Sequence, residues 1–315
     1  MTGSISGPAV QEQSLVKRMR DGELGALARV ITELERLSKS APQLLEDMVP
    51  FLGQAIVVGF TGPPGAGKST LVNAYIGRLR AENKTVGVIA VDPSSPISGG
   101  AILGDRIRMS EHTGDDGVFI RSLASRGHVG GLSPAAVRII DAMDASGRDV
   151  IIVETVGAGQ SDIDVAEIAD IRVVLSAPGL GDDIQAMKAG ILEIADLLVV
   201  NKADLPDAEK TYRQLQFALS LRRGGGDTSV VKTVATTGEG VDELAAKIAE
   251  FATTADQNPA ERRRRRARQL LAWAVTDLID QRVRKEGGPE VDRLCDEILT
   301  AELSPIDAAR RLLGT

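Results

Sequence analysis

Fourteen residues, Val57 to Thr70, constrain the whole chain more than any other stretch. The apolar run Val57-Val58-Gly59-Phe60-Thr61 passes through a glycine-rich turn, Gly62-Pro63-Pro64-Gly65-Ala66-Gly67, into Lys68-Ser69-Thr70. This is the G-x-x-x-x-G-K-[ST] spacing of a phosphate-binding loop, in which backbone N–H groups cradle phosphates, the lysine reaches the outer oxygens and the hydroxyl meets a metal. A Cβ at Gly62 or Gly67 would obstruct positive φ or close phosphate approach. The helix expected to begin near Ser69 adds unpaired N–H groups and the positive end of its dipole. A strand, a loop and a helix in this order require a parallel α/β sheet around them.

The rest of the chain agrees with that requirement. Apolar, β-branched runs recur at Thr85 to Asp92, Val118 to Ser122, Asp149 to Thr155, Ile171 to Ser176, Leu197 to Asn201 and Val230 to Ala235. Between them, Ser69 to Glu82, Pro134 to Ser146, Asp182 to Glu193, Ala208 to Arg222 and Val241 to Phe251 carry helical periodicity. Alternation of this kind predicts a doubly wound, mostly parallel α/β domain over about residues 55–252, with functional loops at the carboxyl ends of the strands. Residues 11–54 read as a helical N-terminal extension, with Leu24, Leu27, Ile31 and Leu34 on one face, Asp21 as the expected N-cap and Pro42 in the first turn of the next helix. Residues 1–10 read as a disordered tail. Periodicity lapses over Ala252 to Pro259, a domain boundary. Residues 260–315 then form a C-terminal helical region, interrupted at Gly287-Gly288-Pro289 and capped again at Ser304.

Composition excludes several classes. A net charge of −7 argues against a nucleic-acid footprint, so the run Arg262 to Arg266 reads as a solvated helix start or a source of intersubunit salt bridges. A lone cysteine, Cys295, excludes an intrachain disulfide framework and a Cys-rich metal-insertion site. No apolar run approaches the ~18 residues of a membrane span, and the first residues lack a secretory pattern. The expectation is a cytoplasmic protein with no membrane or nucleic-acid partner.

The choice between adenine and guanine falls to Asn201-Lys202-Ala203-Asp204, an N-K-x-D string directly after the run Leu197 to Val200. A carboxylate at Asp204 accepts hydrogen bonds from the guanine N1–H and 2-amino groups, donors that adenine does not offer. Ala235-Thr236-Thr237-Gly238 is similar to the turn that completes a guanine pocket. Magnesium needs hard oxygen donors; Ser69, Asp92 and Glu154 are expected at the phosphate end of the sheet, with Asp105 nearby in sequence. Glu154-Thr155-Val156-Gly157 stands where most GTPases have D-x-x-G, and Gly157 is placed to offer its N–H to a γ-phosphate. Gln160 follows that glycine at three positions, too far for the usual water-orienting glutamine.

Taken together, these strings resemble the MeaB/ArgK-type GTPases, the methylmalonyl-CoA mutase-associated group. The resemblance covers nearly all of the chain and rests further on Asp92-Pro93-Ser94-Ser95-Pro96, Gly99 to Asp105, Arg121 to Leu132, Glu154 to Ser161 and Gly181 to Gln185. It implies a homodimer formed through C-terminal helices, with switch segments around Asp92 to Arg108, Ala158 to Asp164 and Gln185 to Lys188. It implies Mg2+ as cofactor, GTP as substrate and GDP as product. Lys68 would stabilise charge, and Gln160, Gln185 or Lys188 are candidates to align the attacking water. It also implies escort of an adenosylcobalamin-dependent acyl-CoA mutase, coupling GTP hydrolysis to cofactor loading. The older alternative for similar chains is a kinase associated with lysine/arginine/ornithine transport.

Overall fold

A computed structural model describes residues 14–92, 112, 114–124, 134–155, 161–179, 195–220, 228–256 and 258–314. Asp105, Gly157, Gln160, Lys188 and the expected helix Asp182 to Glu193 lie outside the described residues, as does the side chain of Asp92.

Seven strands, β1 (Ile56–Thr61), β2 (Val86–Asp92), β3 (Val118–Ala124), β4 (Val150–Thr155), β5 (Ile171–Ser176), β6 (Leu197–Val200) and β7 (Ser229–Lys232), form one sheet. Their order is β3-β2-β4-β1-β5-β6-β7 and every pairing is parallel. β1 is central, with Phe60 in register with Glu154 of β4 and Val58 with Ile171 of β5. Parallel strands need crossovers that cover both faces, and the strands are accordingly buried on both sides: in β1 only Ile56 retains appreciable exposure. The expected α/β class and six of the seven strands were legible from apolar runs, and the seventh from the phosphate-loop motif.

Helices α1 (Leu15–Arg20), α2 (Leu24–Glu35) and α3 (Ala41–Met48) make the N-terminal extension. They bury Met19, Leu27, Ile31, Leu34 and Met48. Asp21 is not the N-cap of α2 but the C-cap of α1; Ser14 caps α1 by accepting from Lys17 N at 3.3 Å. Pro42 does occupy the first turn of α3. Helix α4 (Lys68–Ala81) follows the phosphate loop and packs Tyr75 against Phe60, with ring centroids 5.8 Å apart. Helices α5 (Pro134–Ala145), α6 (Ser161–Ile168), α7 (Ala208–Ser220) and α8 (Val241–Asp256) complete the described helices around the sheet. Helix α8 runs on to Asp256, through much of the stretch where the sequence suggested a boundary, because its last turns keep Phe251 and Ala252 against the core. None of the described helices is long and apolar enough to cross a membrane.

The chain divides into two compact units, residues 1–266 and 267–315. The division falls inside helix α9 (Pro259–Asp280), so the arginine run belongs to the first unit. In the second, α9 gives way to π-helical turns over Gln281–Glu286, and the expected stop at Gly287-Gly288 precedes α10 (Pro289–Leu299). Helix α11 (Pro305–Leu313) is capped by Ser304, whose Oγ accepts from Asp307 N at 3.2 Å.

Opposite the phosphate end, at the amino ends of the strands, buried charge organises the first unit. The Asp170 side chain is fully buried just before β5. It accepts from Val57 N at 3.0 Å, Arg266 Nη2 at 2.5 Å, Arg265 Nη2 at 3.1 Å and Arg262 Nη1 at 3.4 Å. Arg262 and Arg266 are themselves buried, so part of the arginine run is neither solvated nor available to another molecule. Beside it, Asp144 of α5 accepts from the backbone N–H groups of Gly53, Gln54 and Ala55 at 2.5, 3.0 and 2.8 Å, fixing the chain as it enters β1. These partners turn buried carboxylates, otherwise costly, into anchors.

Among the described residues, Asp141 of α5 has no such set. Burial, its largest influence, raises its carboxyl to about 6, Asp144 adds to the rise, and Arg266, Arg263 and Arg138 oppose it. A raised carboxylate favours the folded state most when protonated, below its unfolded value near ~4, and that contribution is lost as pH rises through about 6. Asp141→Asn, a mimic of the protonated form, is therefore expected to stabilise the protein at pH 7.5 by on the order of 2 kcal/mol. The gain should vanish near pH 4 in denaturant unfolding; a gain independent of pH would contradict this account.

Candidate functional site

The loop between β1 and α4 has the backbone that its glycines demand. Gly62, Gly65 and Gly67 have φ of +140°, +80° and +87°. At Gly62 a Cβ would lie 2.4 Å from Leu175 O of β5, and at Gly67 one would lie 2.4 Å from Asn201 Nδ2, whereas at Gly65 nothing lies within 4 Å. Two of the three glycines thus answer to both conformation and space, the third to conformation alone. Pro63 and Pro64 stiffen the first half of the turn, and Ala66 N closes it on Pro63 O at 3.3 Å. Gly67 is the left-handed N-cap of α4, leaving Lys68, Ser69 and Thr70 as the first helical turn, whose N–H groups have no intrahelical acceptor.

Lys68 is buried, and its Nζ donates to Gly62 O at 2.7 Å and Pro63 O at 3.0 Å, folding the ammonium over its own loop. Ser69 Oγ donates to Glu154 Oε1 at 2.6 Å. Glu154 is held near the end of β4, in register with Phe60 of β1 and Ala90 of β2, and is buried. Asp92 ends β2, paired in register with Ala124 of β3. The structure therefore brings Ser69 and Glu154 together and sets the backbone of Asp92 at the same edge of the sheet. Ser69 and Glu154 are hard oxygen donors beside a phosphate loop, the chemistry that suits Mg2+; no larger acidic or histidine cluster occurs among the described residues.

The N-K-x-D string sits immediately after β6, and its members divide the work. Asn201 is buried and faces protein, not the mouth of the site: Nδ2 donates to Ala66 O at 2.8 Å, while Oδ1 accepts from Thr233 Oγ1 at 3.1 Å and Ala235 N at 3.2 Å. One carboxamide thus joins the phosphate loop to the segments after β6 and β7. Lys202, at φ +57°, extends Nζ to Gly65 O at 2.8 Å. Asp204 is exposed, and among the described residues its carboxylate has no hydrogen bond or ion pair. Ala235-Thr236-Thr237-Gly238 is a tight turn closed by a bridge between Val234 and Glu239; Thr237 Oγ1 serves the turn by donating to Val234 O at 3.2 Å, and Thr236 is exposed. Thr233 is a residue that motif reading missed. It is fully buried, and only its place directly before that turn could have pointed to it.

The two glycine environments give a graded test. Gly65→Ala should cost about 1 kcal/mol, the left-handed backbone penalty alone. Gly67→Ala should cost at least about 2 kcal/mol more and weaken nucleotide binding, because its methyl displaces Asn201 and the tie to Ala66 with it. Denaturant unfolding and GDP titration of both variants check the ranking; equal costs would contradict the role given to Asn201.

Residues 27–287 match the family model described as "Methylmalonyl Co-A mutase-associated GTPase MeaB". A chain from Pyrococcus horikoshii, itself named as a candidate GTPase, is 44% identical over 306 residues, covering 95% of this chain and 96% of its own. The GTPase ArgK of Escherichia coli is 40% identical over 248 residues, covering 76% and 75%. Among solved structures, the crystal structure of a LAO/AO transport system kinase superposes with a TM-score of 0.73 at 28% identity, covering 95% of each chain. With the phosphate loop, the Ser69–Glu154 pair and the N-K-x-D loop on one edge of the sheet, the chain belongs to the methylmalonyl-CoA mutase-associated MeaB family of GTPases.

Proposed function

We propose that this protein hydrolyses GTP to GDP and phosphate, and that its nucleotide state governs its fit to an adenosylcobalamin-dependent acyl-CoA mutase. The observation that carries the nucleotide half is the Asn201 cross-tie. It holds the phosphate loop against the segment bearing Asp204, at a separation fixed by protein and not by ligand. In this reading Gly62 to Thr70 hold the phosphates, Lys68 offsets charge on the β and γ oxygens, and Lys202, Ala235, Thr236 and Thr237 border the base. Asp204 reads guanine. Ser69, Glu154, Asp92 and Asp105 are the residues that would hold Mg2+, which when bound neutralises charge on the transferring phosphoryl group. Gly157 senses the γ-phosphate, and Gln160 or Lys188 helps to align water. The family's description supports the mutase half.

The layout of a helical extension (11–54), a GTPase domain (55–252) and a C-terminal region (260–315) belongs to the same proposal, as does a cytoplasmic homodimer. Support for dimerisation comes from the exposure of Leu271 (65%), Val275 (47%) and Leu278 (64%) along α9. The likeness to a LAO/AO transport system kinase favours a second reading, phosphoryl transfer to a protein.

Two measurements decide. Calorimetry should show GDP bound at least ~100-fold more tightly than ADP, with Asp204→Asn shifting preference toward xanthosine diphosphate because an amide supplies the donor that xanthine can accept. Comparable affinities for GDP and ADP would remove the guanine assignment. Single-turnover hydrolysis should accelerate at least ~10-fold when the mutase from the same organism is added, since trans-acting groups complete other GTPase sites. An unchanged rate, with labelled phosphate appearing on another protein, would favour the kinase reading instead.

A further inference from the structure

Three arginines of the first unit hold a carboxylate with the same edge of the guanidinium. Arg80 on α4 grips Asp115 through Nε at 2.8 Å and Nη2 at 3.0 Å. Arg172 on β5 grips Asp196 through the same two nitrogens at 2.7 and 2.8 Å, and Arg121 on β3 sets them on Glu35. The planar Nε/Nη2 edge matches the two oxygens of a carboxylate, so such pairs are strong and directional. Arg148, in the turn between α5 and β4, is more deeply buried than any of these, at 7% exposure. Its one hydrogen bond among the described residues runs from Nη1 to Asp116 O at 3.2 Å. Nε is enclosed without an acceptor, Nη2 has none among the described residues, and no carboxylate of those residues lies within ion-pair distance.

The acids that act on Arg148 from farther away are already committed or turned aside. Asp115 serves Arg80 and also accepts from Gly117 N at 2.8 Å. Asp149 accepts from Thr85 N at 2.7 Å and Thr85 Oγ1 at 2.8 Å, with Lys84 Nζ at 3.8 Å. Asp116 is exposed, and its backbone, not its carboxylate, meets Arg148. Burial, the largest influence, pulls the Arg148 guanidinium below its ordinary value, Arg80 adds to the fall, and Asp115, Asp116 and Asp149 oppose it. Arginine nevertheless keeps its proton, and a buried charge without a counter-charge is the costly arrangement that proteins avoid. Arg80, Lys84 and Arg148 balance Asp115, Asp116 and Asp149 charge for charge, so a single added negative charge suits this locus better than a dianion does.

We propose that the Nε/Nη2 edge of Arg148 binds a small carboxylate anion, between α4, the turn Asp115 to Gly117 and the turn that leads into β4. The burial of the side chain limits the ligand to the size of formate or acetate. Arg148 precedes the first residue of β4 and Glu154 stands near its other end, so roughly 20 Å of strand separates this site from the phosphate edge. It stands whether or not the nucleotide reading does.

The probes are 13C-labelled acetate and formate, titrated into the nucleotide-free, full-length protein with chloride replaced at constant ionic strength near neutral pH. Binding is read from broadening of the ligand 13C line and from the thermal unfolding midpoint, which a ligand of the folded state raises. Wild type should respond saturably to both anions by about 100 mM, enough to fill even a ~10 mM site. Arg148→Lys keeps the charge without the fork and should bind at least ~10-fold more weakly. Arg148→Leu should show neither broadening nor a midpoint shift; if it does not fold, Arg148→Lys carries the comparison. Sulfate should fail to displace acetate. A wild type that responds no more to acetate and formate than to chloride would overturn the site and leave water as its occupant. Undiminished binding in either folded variant would place the anion elsewhere and overturn it too, and displacement by sulfate at lower concentration than acetate would overturn the carboxylate assignment.

Discussion

The Asn201 carboxamide is the interaction on which the site depends. Phosphate-loop and base-loop chemistry are useful together only at a fixed separation, and here that separation is set by hydrogen bonds within the protein: Ala66 O on one side, Thr233 Oγ1 and Ala235 N on the other. Because the amide is buried, an alternative position of either loop would leave donors and acceptors unpaired in the interior. Gly67 belongs to the same constraint, since its missing Cβ is the space that the amide nitrogen fills. The exposed carboxylate of Asp204 is thereby presented by a rigid support, a form of preorganisation that spares a ligand the cost of ordering the loop.

The base of the sheet uses the opposite strategy, with charges removed from water and matched. Asp170 brings together β1, the turn before β5 and α9, and Asp144 holds the entry to β1. An apolar cluster of the same volume could stabilise this end equally well. Ion pairs with directional hydrogen bonds also fix which helix turn meets which carbonyl, a property that apolar packing supplies less strictly.

The fold was legible because parallel strands buried on both faces must be written as apolar, β-branched runs, and because turn and phosphate chemistry restrict residue types to glycine, lysine and serine. Helix ends were less legible. Asp21 has the composition of an N-cap, yet Ser14 is placed so that α1 can form first and leave Asp21 at its end. The arginine run misled for a related reason. Five like charges in sequence suggest solvent, and only the fold reveals that Arg262 and Arg266 share a face with buried Asp170. Asn201 was legible as a motif residue but not in its task, because its partners are backbone groups and a threonine brought in from far along the chain.

The central position of β1 has a consequence for how the chain is made. Its flanking strands are β4 and β5, and the carboxylates that anchor its entry, Asp144 and Asp170, come roughly a hundred residues later in sequence. A ribosome therefore releases the phosphate loop long before anything that can hold it, and Asn201 later still. Closing such long loops precedes the contacts that stabilise them, so the apolar edges of β1 stay unpaired until β4 (Val150–Thr155) and β5 (Ile171–Ser176) have been made. The segment that reads most clearly as function is the one the nascent chain leaves exposed longest, and it is there that a translational pause or a general chaperone has most to protect.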